Sequence, residues 1–142
     1  MISSLQLIDT CACTQLRTAA RLVTRMYDEA LRPSGVNASQ LAILAAIDVN
    51  EAGSISELSK RLGMDRTTLS RNLKPLEGSG LIRLGGEGWK RSKTVQLTDG
   101  GRQALAKAKA LWNAAQTEFL DRLGVAAWRR AERDLKAIAA RF

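Results

Sequence analysis

Long cations and short hydroxyls share one side of a predicted helix in the run RTTLSRNLK. At about 100° per residue, these side chains form an outward arc that no carboxylate interrupts. Guanidinium, ammonium and hydroxyl groups are the donors that reach guanine edges and phosphate oxygens. The arc is therefore a candidate surface for recognising a polyanion. Its members are Arg66, Thr67, Ser70, Arg71 and Lys74.

A second group of cations comes further along the chain. Lys90, Arg91 and Lys93 follow the glycine-rich run 85–88. The apolar segments on either side, 81–84 and 94–97, fit two short strands, and glycines between strands permit the backbone conformations of a hairpin loop. A cationic loop tip of this kind can lie along a nucleic-acid backbone or insert an arginine into a narrow minor groove.

Two helices must position the arc. Ser54 and Glu57 have the spacing of a capping box, so a helix is predicted to begin directly after Ser54. Gly63 can end that helix in the left-handed conformation. Asp65 can then cap a second helix, because its carboxylate accepts hydrogen bonds from the free amides of the first turn. The two caps predict a tight turn between two short helices.

The second helix carries a narrow apolar stripe opposite the arc. Leu69, Leu73 and Leu76 recur at four and three residues, which predicts that they are buried. Pro75 is expected to kink or tighten the last turn before the glycines at 78 and 80 end the helix. This layout predicts a mainly α fold containing a helix-turn-helix and a small β-hairpin, with the second helix in the major groove.

Each of these pieces has an ordinary explanation when it stands alone. Leucine-spaced helices usually form cores, and basic loops are usually solvated surfaces. The ordered conjunction of capping box, glycine turn, carboxylate-free arc and basic hairpin favours binding of nucleic acid.

The same stretch resembles a known family. The runs ISELSKRLG, TTLSRNLKPLEGSGLI and RSKTVQLTDGG are similar to the winged helix-turn-helix of the MarR transcriptional regulators, over residues 54–102. In that family the wing commonly carries an Asp two residues before an Arg that reaches the minor groove. Arg91 falls on the Arg position and Trp89 replaces the Asp, so Arg91 lacks its usual acidic partner, for which Glu87 is a candidate substitute.

The resemblance implies a homodimeric repressor that binds a pseudo-palindromic operator in double-stranded DNA. It also implies release by a small aromatic effector or by oxidation. Tyr27, Met26 and Trp112 are candidates to line an effector cleft, and Arg17 or Arg21 to receive a carboxylate. Core packing and surface solvation explain these five residues equally well.

Composition narrows the class of protein. The net charge of +8 favours a polyanionic partner, but residues 54–100 carry nine cations and five carboxylates, while residues 101–142 carry nine and four. Because the excess is spread out, an architectural or weakly specific nucleic-acid binder is the alternative. The chain has no histidine, no membrane-length apolar run and no signal-peptide pattern. We therefore expect a cytoplasmic protein that is not an enzyme and holds no metal or cofactor.

The N-terminal part is predicted to be one long helix. Apolar residues recur on one side over 16–31, whereas residues 1–9 are expected to be a frayed lead or a first turn. Asp28 is expected to pair with Arg25 or Arg32 on the same helix. The broad apolar stripe fits a partner-chain surface as well as an internal one.

Three further helices are predicted around the hairpin. Asn37 and Gln40 have capping-box spacing, and Thr98 can cap a long helix despite the weakening pair Gly100 and Gly101. Gly124 separates that helix from the last one. The residues expected to be buried in the helix after Asn37 are Leu41, Leu44, Ala45 and Ile47.

Sustained three-and-four spacing at both chain ends predicts a helical dimerisation region. The expected organisation is an N-terminal dimerisation helix over 1–35, a winged helix-turn-helix over 36–100 and C-terminal dimerisation helices over 101–142. In the alternative, the end helices fold back on their own domain.

Cys11 and Cys13 are candidate redox residues. Two residues apart on a helix, they would point to nearly opposite sides and could not bridge each other without local unwinding. The ordinary explanation is two buried or half-buried side chains in a reducing compartment. The family resemblance implies the alternative, an oxidant-sensing thiol or an inter-subunit disulfide.

Overall fold

The computed structural model describes residues 1–50, 53–85 and 94–142. These residues form seven α-helices and one antiparallel hairpin, which confirms the predicted mainly α fold with a small hairpin. No described helix is long and apolar enough to cross a membrane. The helices are α1 Ser4–Thr10, α2 Ala12–Leu31, α3 Ala38–Asn50, α4 Ile55–Leu62, α5 Arg66–Gly78, α6 Asp99–Leu123 and α7 Val125–Ala139. The strands are β1 Ile82–Gly85 and β2 Thr94–Leu97, and a 3-10 turn, Arg32–Ser34, follows α2.

The first residues are more ordered than expected. Ser3 Oγ accepts a hydrogen bond from the Gln6 amide at 3.1 Å, and Gln6 Oε1 accepts one from the Ser3 amide at 3.0 Å. This capping box begins α1, which is exposed along its length and packs on α2. Of the two expectations for these residues, the frayed lead is wrong and the helical turn is nearer, although α1 is a separate helix. A Ser-x-x-Gln pattern that satisfies the first free amides was the overlooked signal.

Helix α3 lies at the centre of the core. Asn37 and Gln40 exchange the predicted pair of hydrogen bonds, each 2.9 Å long. Because α3 contacts α2, α4, α6 and β2, it buries more than one face. Leu41, Leu44 and Ile47 are buried as predicted, Ala45 is half-buried, and Ile43 and Ala46 are buried although one stripe did not predict them.

Asp28 has a different partner from the one expected. Its carboxylate accepts a hydrogen bond from the Ala38 amide at 2.7 Å. Arg32 instead lies 3.9 Å from Glu29. The expected pairing of Asp28 with Arg25 or Arg32 is wrong, because α3 starts beside α2 and presents a free amide that competes for the carboxylate.

The start of α6 packs tightly on the segment that enters β1. Thr98 caps α6 as predicted, since its hydroxyl accepts a hydrogen bond from the Gly101 amide at 3.0 Å and donates one to the Gly80 carbonyl at 2.5 Å. Gly101 is buried, and a Cβ there would lie 1.9 Å from the Leu81 carbonyl oxygen. The expectation that Gly101 only weakens the helix is wrong, because this close approach requires glycine.

The C-terminal helices leave apolar surface uncovered. Gly124, with φ +91°, ends α6, and the ring of Trp128 on α7 meets Phe119 on α6 edge-to-face at 5.1 Å. Beyond this contact Leu135, Ile138 and Phe142 are exposed. The predicted apolar stripe of α7 is therefore only partly covered within this chain.

Candidate nucleic-acid interface

The predicted caps are present at both ends of α4 and at the start of α5. Ser54 and Glu57 form the capping box of α4, with both hydrogen bonds 3.2 Å long, and Gly63 ends that helix at φ +62°. The Asp65 carboxylate accepts hydrogen bonds from the Thr68 amide at 2.7 Å and the Thr68 hydroxyl at 3.1 Å. These bonds lower the pKa of Asp65, the backbone amide contributing most.

The apolar stripe of α5 is fully inside the core. Leu69, Leu73 and Leu76 are at most 1% exposed. The helix passes through Pro75 and ends at Gly78, after which Gly80 adopts φ +72° and the Leu81 amide bonds to the Leu76 carbonyl at 2.9 Å. Burial on one side and closure at both ends fix which side of α5 faces solvent.

The five arc residues, Arg66, Thr67, Ser70, Arg71 and Lys74, are all exposed. Within the described part of the chain, neither Arg71 nor Lys74 forms an ion pair. Arg66 differs from them because its guanidinium donates a hydrogen bond to the Ser56 hydroxyl on α4. Glu77, also exposed, is the first carboxylate of α5 and ends the arc one turn after Lys74. The surface from Arg66 to Lys74 is thus cationic and rich in donors.

Other exposed cations surround this arc. Lys60 and Arg61 lie on the last turn of α4, and Arg83 lies on β1 opposite Gln96 of β2. Sequence reasoning did not single them out, nor did it single out Ser56. Arg83 could have been found from the alternation of side chains along a strand. Its neighbour Ile82 and the paired residue Leu97 are buried, whereas Arg83 is exposed.

The predicted loop cations Lys90, Arg91 and Lys93 lie outside the described residues, together with Trp89 and Glu87. The strands that flank them are described. The β1–β2 register runs from the pair Ile82 and Leu97 to the pair Gly85 and Thr94. The role expected for the loop cations stays a prediction.

A cavity of about 640 Å³ opens between α2, α3 and α6. Tyr27 and Trp112 line it as anticipated, while Met26, Arg17 and Arg21 do not. The cation of this cavity is Lys109, whose ammonium lies 3.3 Å from the Asp48 carboxylate on α3. Burial raises the pKa of Tyr27, whose hydroxyl donates a hydrogen bond to the Gln116 side chain.

Both cysteines are free, but their surroundings differ from the expectation. Cys11 lies between α1 and α2 in extended backbone and is half-buried, whereas Cys13 is exposed on α2. The ordinary explanation by burial is therefore wrong for Cys13. The premise that both cysteines lie on one helix is also wrong, because Cys11 precedes α2. Hydrogen bonds from Thr14, the side chain first, lower the pKa of the Cys11 thiol.

Known proteins resemble this chain in sequence and in fold. A profile of the MarR family matches residues 34–91. The DNA-bound crystal structure of the Mycobacterium tuberculosis transcriptional regulator MosR is 41% identical, with coverage of 92% of this chain and 94% of that chain and a TM-score of 0.83. No curated protein sequence matches.

Two more distant structures share the fold alone. A mutant of Escherichia coli MarR, complexed with operator DNA, is 24% identical, with coverage of 96% of this chain and 99% of that chain and a TM-score of 0.82. CouR from Rhodococcus jostii, bound to p-coumaroyl-CoA, is 21% identical, with coverage of 94% and 95% and a TM-score of 0.75.

Proposed function

This chain belongs to the MarR family of transcriptional regulators, and we propose that it represses transcription by binding a pseudo-palindromic operator as a homodimer. The family consists of DNA-binding regulators and not of enzymes, so the predicted non-enzymatic class is confirmed. The operator-binding residues are those of the α5 arc and, from the sequence, Lys90, Arg91 and Lys93.

The single observation that carries this proposal is the geometry of α5. A surface of cations and hydroxyls is exposed along one side of the helix. On the other side, the three leucine side chains are at most 1% exposed. A helix held in this way presents fixed donors to the base edges of a major groove. Sequence-specific contact is the use that best fits such a rigid polar face.

A dimer gains base contacts over a monomer, and this chain exposes apolar surface that a second copy could cover. One recognition helix gives only a few base contacts, each worth about 1–3 kcal/mol, whereas two copies on a two-fold axis read both halves of a palindrome. Large apolar side chains lie exposed on α1, α2 and α7 and at the end of α6. We assign residues 1–35 and 101–142 to the dimer contact and residues 36–100 to the binding of DNA.

Release by an aromatic acid is supported by the cavity between α2, α3 and α6. Trp112 and Tyr27 offer ring contacts, and Lys109 offers a cation to a carboxylate. An anion that pairs with Lys109 would compete with Asp48, which lies on the helix behind the DNA-binding pair. Binding would thereby change the contact between α6 and α3 and alter the head geometry that fits the operator.

Oxidation is the alternative route of release. Cys13 is exposed, and a lowered thiol pKa makes Cys11 more reactive, since the thiolate is the form that oxidants attack. Both cysteines lie in the region assigned to the dimer contact, so a change there could alter the spacing of the two heads.

Selection of bound fragments from random duplex DNA tests the proposal directly. A regulator recovers a palindromic sequence with half-sites about one helical turn apart, and the complex contains two chains per duplex. Recovery of no preferred sequence, with equal affinity for random DNA, would instead identify a weakly specific architectural binder.

A further inference from the structure

The guanidinium of Arg66 is restrained by a neighbouring helix. Arg66 is the first residue of α5, and it donates a hydrogen bond to the hydroxyl of Ser56, the second residue of α4. The two residues are ten positions apart, so the contact joins the starts of the two helices of the DNA-binding pair. Asp65, the only carboxylate beside Arg66 in sequence, is already bonded to Thr68.

The other cations of α5 lack such a restraint. Within the described residues, the side chains of Arg71 and Lys74 form no ion pair and donate no hydrogen bond. The helical angle also separates them, because Arg71 lies about 140° around the axis from Arg66. Arg66 therefore lies on the flank of the arc that faces α4, while Arg71 lies toward its opposite flank.

This position suits a phosphate better than a base. In a helix-turn-helix the first residues of the second helix meet base edges, while the first helix crosses the DNA backbone. The bond to Ser56 holds the Arg66 guanidinium against the first helix, which is the helix that lies beside the backbone. An arginine has five N–H donors in a rigid fork, and one bond to Ser56 leaves the others for phosphate oxygens. A guanidinium that is already ordered loses less conformational freedom on binding.

We infer that Ser56 is a positioning residue that holds Arg66 as a phosphate contact, separate from the base-reading residues of the arc. The inference rests on the proposed binding of DNA and assigns a division of labour within it. Arg66 adds affinity for any duplex. Thr67, Ser70 and Arg71 supply the sequence preference.

A double-mutant cycle tests the inference with Ser56→Ala, Arg66→Ala and the double variant. The probes are the duplex recovered by selection and a random duplex of equal length, each titrated at several salt concentrations. Ser56→Ala should weaken binding to both duplexes by about two- to twelvefold per head, with an unchanged salt slope, because the charge remains. Arg66→Ala should weaken both by one common factor and lower the slope by about 0.9 per head, because one phosphate contact is lost.

The double variant should bind like Arg66→Ala alone, and Ser56→Thr, which keeps the hydroxyl, should bind like wild type. Ser39→Ala is the matched control, since Ser39 is likewise the second residue of a helix with a capping box and is exposed. Additive effects of the two substitutions, or a loss by Arg66→Ala confined to the selected duplex, would overturn the inference. Failure of the proposed regulator function gives a different result. Selection would then recover no preferred duplex, but the random duplex would still show whether Ser56→Ala weakens binding of DNA.

Discussion

The carboxylate of Asp28 accepts a hydrogen bond from the backbone amide of Ala38 at 2.7 Å. Asp28 belongs to α2, whereas Ala38 is the first residue of α3, so the contact joins α2 to the central helix of the core. At the same helix start, the side chains of Asn37 and Gln40 each accept a hydrogen bond from the other residue's backbone amide. The start of α3 is thus determined partly by local sequence and partly by a neighbouring helix.

Replacement of Asp28 by Ala should destabilise the fold by about 1–2 kcal/mol, because a half-buried amide loses a charged acceptor. Asp28→Asn keeps an acceptor oxygen and should lose less. The measurement is the free energy of unfolding in urea. Asp121→Ala removes an exposed carboxylate that forms no ion pair among the described residues and should change stability little. Equal losses for the two Ala variants would contradict the role of the Asp28 contact.

Alanine at Gly101 and at Gly100 should have opposite effects. At Gly101 the new Cβ would meet the Leu81 carbonyl oxygen at 1.9 Å, so the variant should lose about 1–3 kcal/mol or more. At Gly100 the nearest atoms are 3.6 Å away, and the better helix propensity of Ala should add about 0.5–1 kcal/mol. Thermal unfolding of the two variants gives the sign directly. A Gly101→Ala protein as stable as wild type would show that α6 does not approach the Leu81 carbonyl so closely.

Charge reversal at Arg71 should abolish sequence-specific binding. Arg71 is exposed on the arc and each good base contact is worth about 1–3 kcal/mol, so Arg71→Ala should reduce the preference for the selected duplex by about five- to 150-fold per head. Arg71→Glu adds repulsion from phosphates and should leave no preference. Lys107→Glu makes the same charge change on α6 and serves as control in the gel-shift titration. Wild-type preference in the Arg71 variants would remove this residue from the interface.

Alkylation of Cys11 should begin at a lower pH than that of an ordinary thiol. Hydrogen bonds from Thr14 stabilise the thiolate, so the pKa lies below the usual 9.0 and the thiolate fraction near neutral pH is raised. In a Cys13→Ser background, the pH midpoint of the iodoacetamide rate should fall below 9.0. Thr14→Val removes the hydroxyl and should move that midpoint upward. An identical midpoint with and without the hydroxyl would exclude Thr14 as the cause.

Lys109 should determine the response to aromatic acids. Benzoate should weaken binding of the selected duplex by wild type, whereas neutral benzamide should act much less, because only benzoate offers Lys109 a negative charge. Lys109→Met should lower benzoate affinity by about tenfold or more. Lys107→Met removes an exposed cation from the same helix outside the cavity and should leave the response intact. A benzoate response that survives in Lys109→Met would place the ligand elsewhere.

Local features of the fold were accessible from sequence. The capping box of Ser54 and Glu57, the cap by Asp65 and the stripe of Leu69, Leu73 and Leu76 all depend on residues three or four apart. The missed box of Ser3 and Gln6 obeys the same rule. Such interactions form within one turn of helix, so spacing alone is sufficient to predict them.

Contacts between elements were not accessible in this way. Asp28 with Ala38, Ser56 with Arg66, Gly101 against Leu81 and Lys109 with Asp48 each join two elements, and the last pair is 61 residues apart in sequence. No residue pattern indicates them, because they depend on how closely the helices approach and at what angle.

From its sequence alone, this chain could be assigned its helix starts, its polar arc and its family, since each depends on residue type and short-range spacing. Only the tertiary structure decided which cation faces the cavity, which arginine is held by α4 and which glycine is indispensable. Those distances are set by the packing of α3 on α6, of α4 on α5 and of α6 on the hairpin, and packing is a property of the whole core.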